Sequence, residues 1–181
     1  MGQRGVPKTV VREACGEMDR LRDAARRSGG RFEVWAVCDR DEHACFDEAR
    51  TRAAQKGVGF AWSSPCVELW ALLHFADQTA GIHRHDCQRA LHAAMPKYRH
   101  DKAPLFDHEL LTDERRAQAH ARAIHLHGRA ADADDPWYNP TTALWKLVKV
   151  IEHGNSTAAR AAAIEADDGS ARWWSEDDPG A

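Results

Sequence analysis

The chain has 181 residues, of which 43% are hydrophobic and 29% are charged, and this is enough for one ordinary domain with a core. No apolar run approaches the roughly 20 residues that span a bilayer, and the N-terminal residues lack the apolar core of a signal peptide. We therefore expect a cytoplasmic protein without membrane contact. Five widely spaced cysteines with no CxxC pair argue against a zinc ribbon or a disulfide scaffold.

Charge is unevenly distributed along the chain. The total is −3, yet residues 165–181 hold six acids against one arginine, and residues 1–31 hold eight basic against four acidic side chains. Residues 84–103 add five basic and two acidic side chains together with three histidines. Basic patches on the body of a protein favour a phosphate-bearing partner, although solvated helix faces often look the same. We expect nucleic acid, either DNA or RNA, as that partner.

Hydrophobic spacing divides the chain into helices and strands. It predicts helices over 8–28, 42–56, 84–95, 108–127 and 140–153, and strands over 32–38 and 58–62. A nearly all-apolar helix is predicted in "SSPCVELWALLHFA", with Ser64 as its N-cap and Pro65 in its first position. This order predicts an α/β fold with a small, mostly parallel sheet flanked by helices and a helical C-terminal part. We expect one domain over residues 1–153 and a loose acidic tail over residues 154–181.

Two acids follow the first predicted strand, in "VWAVCDRDEH" (residues 34–43). Ligand sites of open parallel sheets lie at the carboxyl ends of strands. Asp39 and Asp41 are two residues apart, so on an extended backbone both side chains point the same way. Two such carboxylates with nothing basic beside them repel each other, and Mg²⁺ or Mn²⁺ would relieve the repulsion. The alternative is a charged turn, and spacing alone does not decide between the two.

Three kinds of phosphate-processing site contain such acids. A P-loop NTPase is excluded, because "GQRGVPKT" has Pro7 where the second glycine of the loop belongs. A phosphatase of the haloacid dehalogenase type stays open as a runner-up, with Asp132, Asp134 and Asp135 as its later acids, although His43 stands where its motif has Thr or Val. The third kind is the TOPRIM metal site of topoisomerases and primases, in which a DxD ends one strand and a glutamate comes from an earlier strand.

Three stretches taken together resemble the motifs of RloB-like proteins. They are "VWAVCDRDEH" (34–43), "SSPCVELWALLHF" (63–75) and "YNPTTALWKLVKVIE" (138–152), and "MPKYRHDK" (95–102) stands where that family has a Tyr–Lys region. The similarity covers roughly residues 8–152. It implies a TOPRIM-like sheet, a Mg²⁺-dependent nuclease site and a role in phage defence alongside restriction–modification or abortive-infection systems.

The resemblance also implies which residues form the site. Asp39 and Asp41 match the acidic pair and would bind the metal, while Lys97, or Lys102, matches the lysine region and would contact phosphate. Glu68 matches the glutamate of the S-x-P-x-x-E-L-W motif and would be a supporting ligand or base. A carboxylate on so apolar a helix is costly to bury unless a cation or hydrogen-bond donors meet it.

One part of the family pattern is missing from the sequence. RloB-like proteins usually open with a strand and an E-G-x-x-T-E segment, and this chain shows no acid before Glu13. We therefore expect the TOPRIM glutamate to be absent. The expected function is a nuclease that hydrolyses nucleic-acid phosphodiesters, with a protein of the same defence system as a further partner. Two alternatives stay open: a TOPRIM remnant that binds nucleic acid or a partner protein without cutting, and the phosphatase described above.

Overall fold

The structure is a computed structural model, and it describes residues 6–28, 32–40, 44–100, 102, 106–135 and 138–153. Within these ranges the helices are α1 (Pro7–Ser28), α2 (Phe46–Gln55), α3 (Glu68–Leu72), α4 (Arg84–Ala94), α5 (Asp113–Asp132) and α6 (Leu144–His153). The strands are β1 (Trp35–Asp39), β2 (Gly59–Ser64) and β3 (Thr141–Thr142), and a short 3-10 turn spans His108–Leu110. The predicted α/β class is confirmed.

The sheet is mixed, and its order is β1-β2-β3. β1 and β2 run parallel, since the Gly59 amide bonds to the Val34 carbonyl at 2.8 Å near their first ends and the Arg40 amide bonds to the Ser63 carbonyl at 2.7 Å near their last ends. β2 and β3 are antiparallel, with Ser63 opposite Thr142. The prediction of a mostly parallel sheet is therefore wrong, because β3 pairs with β2 in the antiparallel direction.

Two helix starts also differ from the prediction. Ser64 ends β2 instead of capping a helix, and α3 begins only at Glu68, so Pro65 lies in the connection. The segment "NPTT" was predicted to start a helix at residue 140, but Thr141 and Thr142 form β3 and α6 begins at Leu144. Both threonines are β-branched and fully buried, and such residues suit a sheet that packs on both faces.

The chain groups into two compact units. One comprises Met1–Cys38, Glu42–Ala61 and Lys146–Ala181, and the other comprises Asp39–Asp41 and Trp62–Trp145. The predicted boundary between a domain over 1–153 and a tail over 154–181 stays a prediction, since the tail lies outside the described residues.

The first unit has its own apolar core. The stripe of α1 that the spacing predicted, Val11, Cys15 and Met18, is buried and packs with Ala36 of β1 and Ala49 of α2. Gly59 at the start of β2 lies against the Trp35 indole, so that any Cβ added there would collide with the ring. Only glycine fits at this point of the strand.

The second unit is organised around α3. Leu69, Leu72 and Leu73 are buried with Leu126 of α5 and with Trp145, which confirms that the apolar segment predicted from the sequence is a core element. A neighbouring cluster joins Ala71, Leu91, Met95 and Tyr98. In the described part of the chain, no helix is both long and apolar enough to cross a bilayer.

Candidate functional site

Asp39 is the last residue of β1, and the structure fixes both of its carboxylate oxygens. Oδ1 accepts the backbone N–H of Val67 at 2.8 Å, and Oδ2 accepts from Nη2 of Arg84 at 2.6 Å. One backbone donor and one guanidinium donor thus hold the carboxylate in a defined orientation. The predicted position of Asp39 at the carboxyl end of a parallel strand is confirmed.

Asp39 has a basic neighbour that the local sequence does not reveal. The expectation that nothing basic lies beside the acids is wrong, because the guanidinium of Arg84 is in direct contact with Asp39. Charge repulsion at Asp39 is therefore relieved in part by the protein itself. Asp41 lies outside the described residues, and its predicted role as a ligand stays a prediction.

Glu68 is the second acid of the region, and its side chain is only 6% exposed. Its Oε1 atom accepts from the Tyr98 hydroxyl at 2.8 Å, from Nδ1 of His100 at 2.9 Å and from Nε2 of Gln88 at 3.2 Å. The other oxygen, Oε2, is buried and has no hydrogen-bond partner among the described residues. Three donors, one from α4 and two from the segment that follows it, thus converge on one oxygen of a buried carboxylate.

These contacts set the proton affinity of Glu68. Burial alone would raise its pKa, but the Cys66 thiol, the Tyr98 hydroxyl and the His100 ring favour the ionised form and hold the pKa at about 2. Burial, and donation to this carboxylate, raise the pKa of Tyr98 well above its usual value. Glu68 is therefore a carboxylate at neutral pH, and it is a weak proton acceptor because efficient general bases have a pKa near the working pH.

Two structural links bring Asp39 and Glu68 into one region. The amide that binds Asp39 belongs to Val67, the residue directly before Glu68. On α4, Arg84 binds Asp39 and Gln88 binds Glu68, and residues four apart lie on the same helix face about one turn from each other. We name this set the polar layer; its members are Asp39, Glu68, Arg84, Gln88, Tyr98 and His100.

The two lysines that were expected to contact phosphate, Lys97 and Lys102, have exposed side chains. The ammonium of Lys97 pairs with Asp107 at 3.3 Å and its side chain is 77% exposed. Lys102 is also exposed. The adjacent Tyr98, in contrast, is buried and bonds to Glu68. The segment 95–102 thus contributes its tyrosine and a histidine to the polar layer, and a phosphate contact by Lys97 or Lys102 stays a prediction.

Sequence reasoning missed Arg84, Gln88 and His100. The signal for the first two was the spacing of four on a predicted helix, which places a cation and an amide on one face. His100 is one of eleven histidines in the chain, and its local sequence does not set it apart from the others. Its hydrogen bond to Glu68 spans 32 positions of the chain, and no local pattern reveals a contact of that range.

A divalent cation such as Mg²⁺ is bound by several oxygen ligands at once. Among the described residues, no three His, Cys, Asp or Glu side chains converge as a complete metal-binding group. Carboxylate oxygens are hard ligands of the kind that Mg²⁺ or Mn²⁺ prefers, so the chemistry of Asp39 fits such a cation. Binding of a cation by Asp39 and Asp41 stays a prediction.

One protein-family model matches the sequence of the chain. The model of the RloB-like protein family matches residues 1–151, which is most of the chain. The chain belongs to the RloB-like family. The match covers the first two stretches on which the sequence resemblance rested and the third up to residue 151, and so confirms the resemblance. Searches of curated proteins and of solved structures gave no match.

Proposed function

We propose that this RloB-like protein hydrolyses nucleic-acid phosphodiesters with the help of Mg²⁺ or Mn²⁺ and that it does so in defence against phage. The observation that carries the proposal is the placement of Asp39 at the carboxyl end of β1, bonded to Arg84 and to the start of α3. Family membership supports the same reading, because the acids of β1 and the Glu68 segment both fall within the matched residues.

Each described residue would have a separate task in this reaction. Asp39, together with Asp41, would hold the cation, which would activate a water and stabilise the negative charge on the phosphoryl oxygens. Arg84 keeps Asp39 oriented and adds a positive charge that attracts a phosphate oxygen. The buried Glu68 orients the groups bonded to it, since its low pKa makes it a poor base.

Cleavage of labelled single- and double-stranded DNA and RNA tests the proposal. We expect the wild type to cleave at least one of these substrates with Mg²⁺ or Mn²⁺ and not with a chelator. Asp39→Asn should reduce the rate by about 100-fold or more, because even indirect support of a metal ligand is worth about 10–100-fold. The matched control is Asp47→Asn, an exposed acid in the first turn of α2, which should cleave like the wild type.

The outcomes separate the competing functions. Metal-dependent cleavage that Asp39→Asn removes supports the proposal. Binding of nucleic acid without cleavage contradicts it and favours a non-cutting TOPRIM remnant. Hydrolysis of phosphate monoesters through an aspartyl-phosphate contradicts it as well and favours the phosphatase.

The defence role is tested separately in cells. Phage plating on bacteria that express the wild type should be reduced relative to bacteria that express Asp39→Asn at the same level. Equal plating on both strains would contradict a defence role that depends on this site.

A further inference from the structure

We infer that His100 is a catalytic residue that carries the proton of the attacking water, and that Glu68 is the residue that positions it. The inference rests on the proposed phosphodiester hydrolysis and deepens it, because it assigns the proton transfer to a side chain outside the acidic pair. The inference rests on the hydrogen-bonded pair of the Glu68 carboxylate, which is buried, and the His100 imidazole, which is exposed.

The two side chains differ sharply in exposure. Glu68 is 6% exposed and His100 is 58% exposed, and Nδ1 of His100 lies 2.9 Å from Oε1 of Glu68. Two further donors, from Tyr98 and Gln88, hold the same oxygen in place. The buried partner is thus rigidly placed, and the ring that it orients reaches the surface.

Two groups face Nδ1 of His100: Oε1 of Glu68 at 2.9 Å, which can only accept a hydrogen bond, and Nε2 of Gln88 at 3.0 Å, which can only donate one. Because Gln88 also donates to Oε1 of Glu68 at 3.2 Å, we assign the ring proton to Nδ1, where it meets the ionised carboxylate. In the neutral ring the other nitrogen, Nε2, then presents a lone pair. Among the described residues, Nε2 makes no hydrogen bond that would engage this lone pair. An oriented imidazole with an exposed acceptor nitrogen is the arrangement of a general base.

The Glu68–His100 pair and Asp39 contact the same face of α4, and this suits a site that they share. Gln88 lies 3.0 Å from Nδ1 of His100, and Arg84, one turn earlier on the same face of α4, holds Asp39. Arg84 and Gln88 are about 6 Å apart along the helix axis, and through them one face of α4 contacts both the acid of β1 and the histidine.

The chemistry balances with water as the only co-reactant. Nε2 of His100 takes a proton from water while the water oxygen forms a bond to phosphorus. The bond from phosphorus to the leaving ester oxygen breaks, that oxygen takes a proton from solvent water on the opposite side of phosphorus, and the imidazolium returns its proton to solvent. One phosphodiester and one water thus give one phosphate monoester and one hydroxyl, and His100 returns to its neutral form.

The first test does not depend on cleavage. Diethyl pyrocarbonate modifies accessible, neutral imidazole nitrogens, and peptide mass spectrometry gives the rate at each histidine. We expect His100 to react faster than His125, an exposed histidine of α5, and Glu68→Gln to slow His100 alone by several-fold. Equal modification rates at both histidines, or an unchanged rate at His100 in Glu68→Gln, would overturn the inference that Glu68 positions His100.

The second test measures catalysis. In His100→Gly, kcat for the best substrate should fall by about 100-fold or more while KM changes little, since general acid–base groups contribute about 10²–10⁴-fold. Added imidazole should restore part of kcat in this variant and none in Asp39→Asn. Glu68→Gln should lower kcat by a smaller factor, about tenfold. A far-UV circular dichroism spectrum of His100→Gly that matches the wild type under the assay conditions shows that the loss is not one of folding.

Failure of the inference and failure of the proposed function give different results. If the wild type cleaves, Asp39→Asn does not, and His100→Gly cleaves normally, the inference is overturned and the proposed function stands. If the wild type cleaves no substrate, both are overturned. Loss of kcat in His100→Gly without rescue by imidazole would also overturn the proton-transfer role.

Discussion

A buried carboxylate is stable only when donors replace the water that it has lost. At Glu68 the donors come from α4 and from the segment that follows it, and the hydrogen bonds of Gln88, Tyr98 and His100 span 20, 30 and 32 positions of the chain. Glu68 thus joins α3 to elements that are distant in sequence. Its charge serves the fold and the orientation of His100 together.

Removal of the Tyr98 hydroxyl should therefore reduce stability. Tyr98→Phe takes one donor from a buried charged acceptor, and hydrogen bonds to charged groups are worth about 1.5–3 kcal/mol. We expect the free energy of unfolding in urea to fall by that amount. Tyr138→Phe is the matched control, because the Tyr138 hydroxyl accepts a longer bond of 3.3 Å from Arg129, and it should change stability by no more than about 0.5 kcal/mol. Equal losses in the two variants would contradict this account of Glu68.

The low pKa of Glu68 predicts a specific dependence of stability on pH. The folded pKa of about 2 lies below the ordinary value of 4.5, so the ionised form stabilises the fold above the unfolded pKa, and this contribution is lost as the pH falls from about 4.5 to about 2. Its full size is on the order of 3 kcal/mol.

Comparison with a neutral variant isolates this contribution. Urea unfolding of wild type and Glu68→Gln should show a stability difference that shrinks as the pH falls through this window. Glu114→Gln, an exposed acid at the start of α5, should keep the pH dependence of the wild type. A constant difference between wild type and Glu68→Gln down to pH 2 would be inconsistent with a depressed pKa.

At the scale of elements, the short strand β3 has two structural roles. The Thr142 hydroxyl lies 2.6 Å from the Ser63 hydroxyl across the antiparallel pair, and it also accepts the backbone N–H of Leu144 at 3.3 Å, where α6 begins. One side chain therefore fixes the register of β2 and β3 and satisfies a backbone donor at the start of a helix.

Thr142→Val should reveal both roles as a loss of stability. It leaves the Ser63 hydroxyl and the Leu144 amide without this partner, and an unsatisfied buried polar group costs about 1–3 kcal/mol. We expect a loss of at least that size by urea denaturation. Thr51→Val in α2 removes an exposed hydroxyl that bonds only to the Asp47 carbonyl and should change stability by no more than about 0.5 kcal/mol. A loss in Thr142→Val no greater than in Thr51→Val would contradict the role of β3.

Elements with a strong local pattern could be predicted from the sequence, and short elements could not. The 22 residues of α1 carry several turns of apolar spacing, so its position follows from the pattern alone. β3 has two residues, too few for a period of two to show, and the proline and threonines before α6 match a helix start equally well. Ser64 likewise precedes a proline as an N-cap would, and only its pairing with Thr141 shows that it belongs to β2.

For the candidate site, local pattern predicted the acids and tertiary contacts determined their partners. The position of Asp39 follows from the end of an apolar strand, whereas its ion pair with Arg84 joins residues 45 positions apart. The sequence argument therefore judged the charge near Asp39 without its main basic neighbour. Glu68 was singled out correctly as a carboxylate that needs compensation, but the donors that provide it were not predictable from spacing.

At the scale of the whole molecule, the second unit contains all of the polar layer. Asp39 is assigned to it, as are α3, α4 and the segment that follows α4. The first unit packs α1 and α2 on its own apolar core and contributes no side chain to this layer. The family match over residues 1–151 includes the polar layer completely, and family membership and geometry therefore point to the same region of the chain.

The central claim is that Asp39 and Asp41 bind a divalent cation, and calorimetric titration of the full chain with Mg²⁺ tests it most directly. We predict a saturable binding heat for the wild type that is lost when Asp39→Ala and Asp41→Ala are combined and kept when Asp47→Ala and Glu48→Ala are combined on α2. Binding of Mg²⁺ that is unchanged by the first pair of substitutions would contradict the account.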